Sequence, residues 1–256
     1  MDLVFFDISL WVFLMLFAAA FLAGVIDAIA GGGGLITVPV LLAAGLSPAE
    51  ALATNKLQGC AGTLSASYHF VRKGQVDLAS MWFPIVMTAM GAMFGTFLVS
   101  YLDSSLLLKA VPIILIAVAI FFFFLPKVQP YIARRVSLTH GQFAVIIGTS
   151  IGFYDGLIGP GTGAFFSTAY LCFMGLTVVS ATAHTKVLNA TSNVASLAVF
   201  LFSGHIIWAL GIAMGIGQWA GAQIGSRLVI TKGAALIRPM VIVMCLAISV
   251  KLLLDN

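Results

Sequence analysis

Two lysines sit where a lysine is costly to keep. Lys56 follows Ala53-Thr54-Asn55 and Lys186 follows Ala183-His184-Thr185, each within a long run of apolar and small residues. An aspartate and a cluster of glycines precede each lysine. Asp27 leads through Ala28-Ile29-Ala30 into Gly31, Gly32, Gly33 and Gly34, and Asp155 leads into Gly159-Pro160-Gly161-Thr162-Gly163. An ionisable group in a membrane helix costs about 2.5–3.5 kcal/mol on insertion scales and is by default a functional candidate. Two ammonium groups beside two stretches of bare backbone suit a small oxyanion. Glycine adopts positive φ readily and leaves its N–H open to close approach. A helix that starts after such a loop also aims the positive end of its dipole at the ligand. Thr54, Asn55, Thr185 and Asn189 add hydrogen-bonding groups next to the lysines, with Gln58 and Asn193 further along. Asp27 and Asp155 are the natural counter-charges, and a carboxylate beside a lysine can change protonation when an anion arrives. His184 reads equally as a proton carrier and as a packed side chain.

The surroundings decide the class. The chain has 256 residues, 61% hydrophobic and 8% charged, with a mean hydropathy of +1.14. A soluble domain carries about 25% charged residues. Repeated apolar stretches of roughly 20 residues indicate an all-α polytopic membrane protein, and the short alternating strands of a membrane β-barrel are absent. The spans leave no room for a separate soluble domain. The net charge of +4 lies mostly in short loops, where it reports topology and not nucleic-acid binding. Cys60, Cys172 and Cys245 form no C-x-x-C pair and read as small buried hydrophobes. No cofactor or metal is expected, and no G-x-x-x-x-G-K-[ST] motif points to ATP. The first apolar segment follows Asp2 and Asp7 without a Lys or Arg, so it reads as a retained helix and not a cleaved signal.

Ten apolar segments can be drawn: 10–30, 35–46, 48–71, 81–101, 106–125, 143–158, 164–176, 187–202, 206–225 and 235–254. The third opens with Ser47-Pro48-Ala49-Glu50, an N-cap, a first-turn proline and a capping-box glutamate. The second and seventh are too short to cross about 30 Å of hydrocarbon at about 1.5 Å per residue. With their glycine loops they read as broken, re-entrant helices. Residues 127–142 form a polar connector with Lys127, Arg134 and Arg135, and divide a first repeat (1–126) from a second (143–256).

The halves read as a duplication. The interval from Asp27 to Asp155 nearly equals the interval from Lys56 to Lys186. The lysine interval also carries Gly45, Gly74, Gly91 and Gly95 onto Gly175, Gly204, Gly221 and Gly225. Basic residues change sides between the copies. Arg72-Lys73 corresponds to the uncharged Phe202-Ser203, while Arg227, Lys232 and Arg238 follow the ninth segment, whose first-half counterpart is followed by Asp103. Under the positive-inside rule the repeats are then inverted, with both termini outside. Lys109 and Lys251, near helix ends, read as snorkelling side chains. Gly91, Gly95, Gly215, Gly217, Gly221 and Gly225 read as helix-packing positions.

The run Asp-x-Ile-Ala-Gly-Gly-Gly-Gly-Leu-x-Thr-x-Pro, the following Ala-Thr-Asn-Lys, and the second-half His-x-Lys-x-Leu-Asn-Ala-Thr-Ser-Asn together resemble the TauE/SafE sulfite exporter family. The resemblance covers residues 10–254. It implies a permease of the bacterial inner membrane, with both termini periplasmic on the charge pattern above, that moves sulfite, thiosulfate, sulfonates or related small anions. The second copy departs from the glycine run by reading Gly-Pro-Gly-Thr-Gly, which predicts an asymmetric pocket. The expected function is a secondary transporter, exporting a small sulfur-containing anion bound by Lys56, Lys186, the glycine loops and the polar groups named above. A passive anion channel shares this chemistry. An intramembrane enzyme built on Cys60 or His184 would need a nucleophile, a base and an orienting acid together. The partners expected are the anion, the lipid bilayer and a coupled proton, with no nucleic acid; a homodimer is left open.

Overall fold

A chain this poor in charge has to satisfy its backbone within helices if it is to lie in lipid. The computed structural model describes residues 4–5, 8–124 and 138–232. A two-residue hairpin, β1 (Val4–Phe5) with β2 (Ile8–Ser9), precedes α1 (Leu10–Ala30). The chain continues through α2 (Gly34–Ala43), α3 (Pro48–Arg72), a single 3-10 turn, α4 (Trp82–Val99) and α5 (Ser104–Phe124). The second half holds α6 (His140–Gln142), a π-helical stretch at Phe143–Gly148, α7 (Thr149–Leu157), α8 (Thr162–Phe173), α9 (Val178–Phe200) and α10 (Trp208–Lys232). Apart from the hairpin, every regular element among the described residues is helical. The tenth expected segment, most of the connector, Cys245 and Lys251 lie outside the described residues.

Local chemistry explains the boundaries. The Ser47 side chain accepts the Glu50 N–H while the Glu50 carboxylate accepts the Ser47 N–H at 2.9 Å, and Pro48 opens α3. At the equivalent place Thr177 caps α9 through the Ser180 N–H. Consequently α9 starts at Val178 and not at the expected Val187. Ser180, Thr182, His184 and Thr185 interrupt the apolar run there, so its first turns do not show as an apolar segment. The short helices α2 and α8 have 10 and 12 residues, about 15–18 Å at the usual rise.

Two described helices are both long and apolar enough to cross a bilayer, at Leu10–Ile29 and Ala79–Val99. Helices α3, α9 and α10 have the length, at 25, 23 and 25 residues, but α3 and α9 carry many polar residues. Those face inward. Thr54, Gln58, Thr185, Lys186 and Ser192 are among the most deeply buried side chains, whereas Trp11, Phe94, Ile113, Ile216 and Trp219 are exposed. Apolar outside and polar inside is the distribution a bilayer selects.

The tightest packing pairs one helix from each half. Helix α1 lies along α10, and α4 lies along α7. Gly91 sits against the backbone of Thr149 and Phe153, and its second-half counterpart Gly221 sits against Phe21 and Val25. Gly152 meets Thr88, as Gly24 meets Gln218. Each contact has its counterpart at the offsets read in the sequence, so the backbones approach where Cβ atoms are missing. A Cβ on Gly221 would overlap the Phe21 carbonyl, whereas one on Gly215 would be 3.5 Å from Ala61 Cβ, an ordinary contact. Gly221→Ala should therefore destabilise the protein by about 1–3 kcal/mol, while Gly215→Ala should be neutral or stabilising by up to about 1 kcal/mol. Thermal melts of the two variants in detergent check the contrast.

Candidate functional site

Helix α1 ends because Gly31 turns into the left-handed region at φ +75°, with its N–H bonded to the Asp27 carbonyl at 2.8 Å. The chain bends through the glycines and restarts at Gly34 as α2. In the second half Gly159 (φ +95°) and Gly161 (φ +85°) make the corresponding bend between α7 and α8. The two bends meet: the Gly163 N–H donates to the Gly31 carbonyl at 3.1 Å. A Cβ on either glycine would overlap the backbone of the other.

The four charges cross between the halves. Lys56 Nζ on α3 lies 2.7 Å from Asp155 Oδ2 at the end of α7. Lys186 Nζ on α9 lies 3.2 Å from Asp27 Oδ2 at the end of α1 and also donates to the Asp27 main-chain carbonyl. Both lysines are buried, at 2% and 0% exposure. The pairs are not alike. Asp27 Oδ1 accepts the Gly33 N–H at 3.3 Å, and Asp155 Oδ1 accepts the Thr162 hydroxyl at 2.7 Å. Lys56 Nζ has the charge contact to Asp155 but no aligned hydrogen bond among the described residues.

Between the pairs lies a cavity of about 30 Å³. Ordered water needs about 10–15 Å³, so the space suits about two waters. Asp27, Asp155, Gly31, Gly34, Gly159 and Gly163 form part of its wall. Asn55, Asn189, Asn193, Gln218, Thr63 and Thr162 supply polar side chains. Asn55 Oδ1 accepts from Thr37 Oγ1 and from Gln58 Nε2, and its Nδ2 lies near Gly34. Asn189 Oδ1 and Gln218 Oε1 are buried without hydrogen-bond partners among the described residues, the state of groups awaiting water or ligand. Asn193 Nδ2 donates to Thr63 Oγ1 at 3.4 Å. The interval that carries Lys56 onto Lys186 carries Thr63 onto Asn193, so the contact joins residues at corresponding places in the two halves.

Other expected residues lie back from this wall. Lys56 and Lys186 stand behind the carboxylates. Gly32, Gly33 and Gly161 shape the bends. Thr54 Oγ1 accepts the Ile207 N–H at 3.2 Å, and Thr185 Oγ1 accepts the Ser167 hydroxyl at 3.1 Å. His184 Nδ1 donates to the Ser180 carbonyl at 2.8 Å, with its ring against Tyr170. Gly59, Thr63, Thr162 and Gln218 line the cavity although sequence reasoning does not single them out. The interval between the lysines holds a signal for two of them, since it carries Gly59 and Thr63 onto Asn189 and Asn193. Among the described residues no group of three His, Cys, Asp or Glu side chains is placed to hold a metal ion.

Residues 16–252 match the family described as sulfite exporter TauE/SafE. The chain is 46% identical over 242 residues to the probable membrane transporter protein YfcA of Escherichia coli (strain K12), covering 94% of this chain and 90% of that relative. It is 43% identical over 250 residues to a probable membrane transporter protein of Haemophilus influenzae, 98% of each. At 25% identity over 238 residues it also matches the probable membrane transporter protein YdhB of Bacillus subtilis, 89% of this chain and 96% of that relative. No solved structure matches the chain.

Removing one partner of a buried ion pair strands the other charge, at a cost of about 3–5 kcal/mol, while replacing both with apolar residues is often neutral. Lys186→Met alone should therefore lower the melting temperature sharply, and adding Asp27→Leu should recover much of the loss. A melt of the single and double variants tests this.

Proposed function

We propose, for a chain that belongs to the sulfite exporter TauE/SafE family and is a membrane transporter of that type, that its cargo is a small sulfur-containing anion such as sulfite, thiosulfate or a sulfonate. The observation that carries this reading is the small polar cavity where the two halves meet, with a buried lysine standing behind each of the two aspartates on its wall. Lipid offers no compensation for an anion crossing it, so the protein has to supply charge and hydrogen bonds along the way. Lys56 and Lys186 supply the charge. Asn55 and Asn189 supply side-chain amides that reach oxygen atoms, and the glycine bends let the ligand approach the backbone. The cavity wall of glycines, amides, hydroxyls and carboxylates gives bulky apolar cargo nothing to pack against.

The protein works as a carrier in this proposal, transporting and not catalysing. Gly31 and Gly163 touch, and an anion with several oxygens needs the bends to part before it enters. Alternating access then comes from movement of the bundle holding α1 and α10 against the one holding α4 and α7, driven by gradients. The two repeats, 1–126 and 143–256, are inverted in the bacterial inner membrane with periplasmic termini, and the net direction is export.

The test uses purified wild-type protein with sulfite, thiosulfate, sulfoacetate, taurine and carboxylates. A cargo anion at about 100 times its Kd should stabilise the fold by about 2.7 kcal/mol and should exchange across proteoliposomes. Asn189→Ala removes an amide whose Oδ1 has no partner, so it should leave the melting temperature nearly unchanged. Its affinity for the anion should fall about tenfold or more, the value of a hydrogen bond donated by Asn189 Nδ2 to a charged group. No stabilisation and no exchange by any sulfur anion would remove the proposal. Channel-like currents in a voltage step would replace the carrier with a passive pore.

A further inference from the structure

We infer that each anion travels with one proton, that Asp155 takes the proton, and that Asp27 remains a fixed counter-charge; this rests on the anion-transport reading above. The two ion pairs sum to zero charge. Adding an anion to that buried cluster leaves one negative charge uncompensated, which a low-dielectric interior resists strongly. A cation has to enter with it. A space of about 30 Å³ beside two carboxylates suits a proton, which occupies no room and binds covalently to a carboxylate oxygen.

The two aspartates differ in how they can accept it. Thr162 Oγ1 lies 2.7 Å from both Asp155 Oδ1 and the Gly159 carbonyl, yet a hydroxyl has one hydrogen to donate. With Asp155 ionised, that hydrogen goes to Oδ1. When Oδ1 is protonated, its O–H donates to Thr162 Oγ1, whose own hydrogen turns to the Gly159 carbonyl. In both states Asp155 Oδ1 and the Thr162 hydroxyl keep a hydrogen bond between them. Asp27 Oδ1 instead faces the Gly33 N–H, a fixed donor that opposes a second hydrogen at that oxygen. The interval that carries Asp27 onto Asp155 carries Gly34 onto Thr162, so the first half lacks the hydroxyl altogether.

The lysines reinforce the difference. Lys186 keeps a main-chain carbonyl whatever the state of Asp27. Lys56 has no hydrogen-bond partner to fall back on among the described residues, and its Nζ lies beside Gly159 on the cavity wall. Protonation of Asp155 therefore frees the Lys56 ammonium to pair with the anion. The cluster is neutral before the step (two ammonium groups, two carboxylates) and neutral after it (two ammonium groups, one carboxylate, one carboxylic acid, one anion). Release reverses both changes.

Other titratable groups near Asp155 are accounted for. Helix α3 presents Lys56 and the buried Cys60, and α9 presents Lys186, held by Asp27. The Tyr154 hydroxyl on α7 donates to the Pro160 carbonyl at 2.6 Å. On α8, Tyr170 packs against Phe143 and His184, and Cys172 is exposed. Helix α4 and the π-helical stretch carry no titratable side chain.

The experiment loads proteoliposomes with a fluorescent pH dye, clamps the membrane potential with potassium and valinomycin, and imposes an inward gradient of methanesulfonate, an anion that does not titrate near neutral pH. Wild-type protein should acidify the lumen by one proton per anion, at a rate insensitive to the imposed potential. Asp155→Asn should abolish acidification and make the flux follow the potential. Thr162→Val should slow proton-coupled net flux about tenfold or more while anion-for-anion exchange falls less, and Thr162→Ser should restore it, as expected of a positioning residue. Wild-type flux without acidification, acidification retained in Asp155→Asn, or uncoupling by Asp27→Asn in its place would overturn the assignment to Asp155. If Asp155→Asn does not fold, the wild-type stoichiometry and the Thr162 series still decide. Failure of methanesulfonate, sulfite and thiosulfate alike to move in either net flux or exchange would instead overturn the transport reading beneath it.

Discussion

A charge taken out of water has to meet its opposite, and in this protein each buried lysine meets it in the other half of the chain. Much of the central geometry follows from that demand. Lys56 reaches Asp155 only if the end of α7 lies beside α3, and Lys186 reaches Asp27 only if the end of α1 lies beside α9. Those two requirements bring the glycine bends together, because each bend directly follows its aspartate. Any side chain at Gly31 or Gly163 would hold the bends apart.

Packing around the pairs obeys the same cross-over. Helix α1 lies along α10 and α4 along α7, so the closest contacts join residues far apart in sequence. Glycine makes this possible by letting backbone touch backbone, which matters in lipid, where apolar side chains gain nothing by leaving the surrounding tails. The polar faces of α3 and α9 can be so rich in Thr, Ser, Asn and Gln because neighbouring helices, and not lipid, cover them.

The halves differ where a difference changes chemistry. Thr162 stands where the first half has Gly34, and this substitution puts a hydroxyl on one aspartate and none on the other. A second divergence lies on the outside. Gly211 and Gly215 let α10 close on Leu57 and Ala61 of α3, but their first-half counterparts are Met81 and Ile85. There an apolar groove of about 640 Å³ runs among α3, α4 and α9, with Ile85 and Val194 on its walls. The repeated landmarks thus set the architecture, and single substitutions set its asymmetries.

Much of this was legible from residue types alone. Apolar length marked helices, Ser47 through Glu50 marked a cap, the glycine runs marked bends, and the near-constant interval between the halves marked repeated landmarks, because each of these signals acts over a few neighbouring residues or repeats along the chain. The pairing partners were not legible. Lys186 and Asp27 stand 159 residues apart, and each half by itself offers an aspartate and a lysine that could have satisfied one another. Gln218 entered the cavity wall and His184 turned away to Ser180 and Tyr170 for the same reason: which side of a helix faces the centre depends on the helices packed around it. The sequence by itself determined the inventory of charges and the places where the backbone could bend. Only the tertiary structure decided which charge meets which, since the energy of a buried pair depends on distance in space and the chain encodes that distance only through its complete packing.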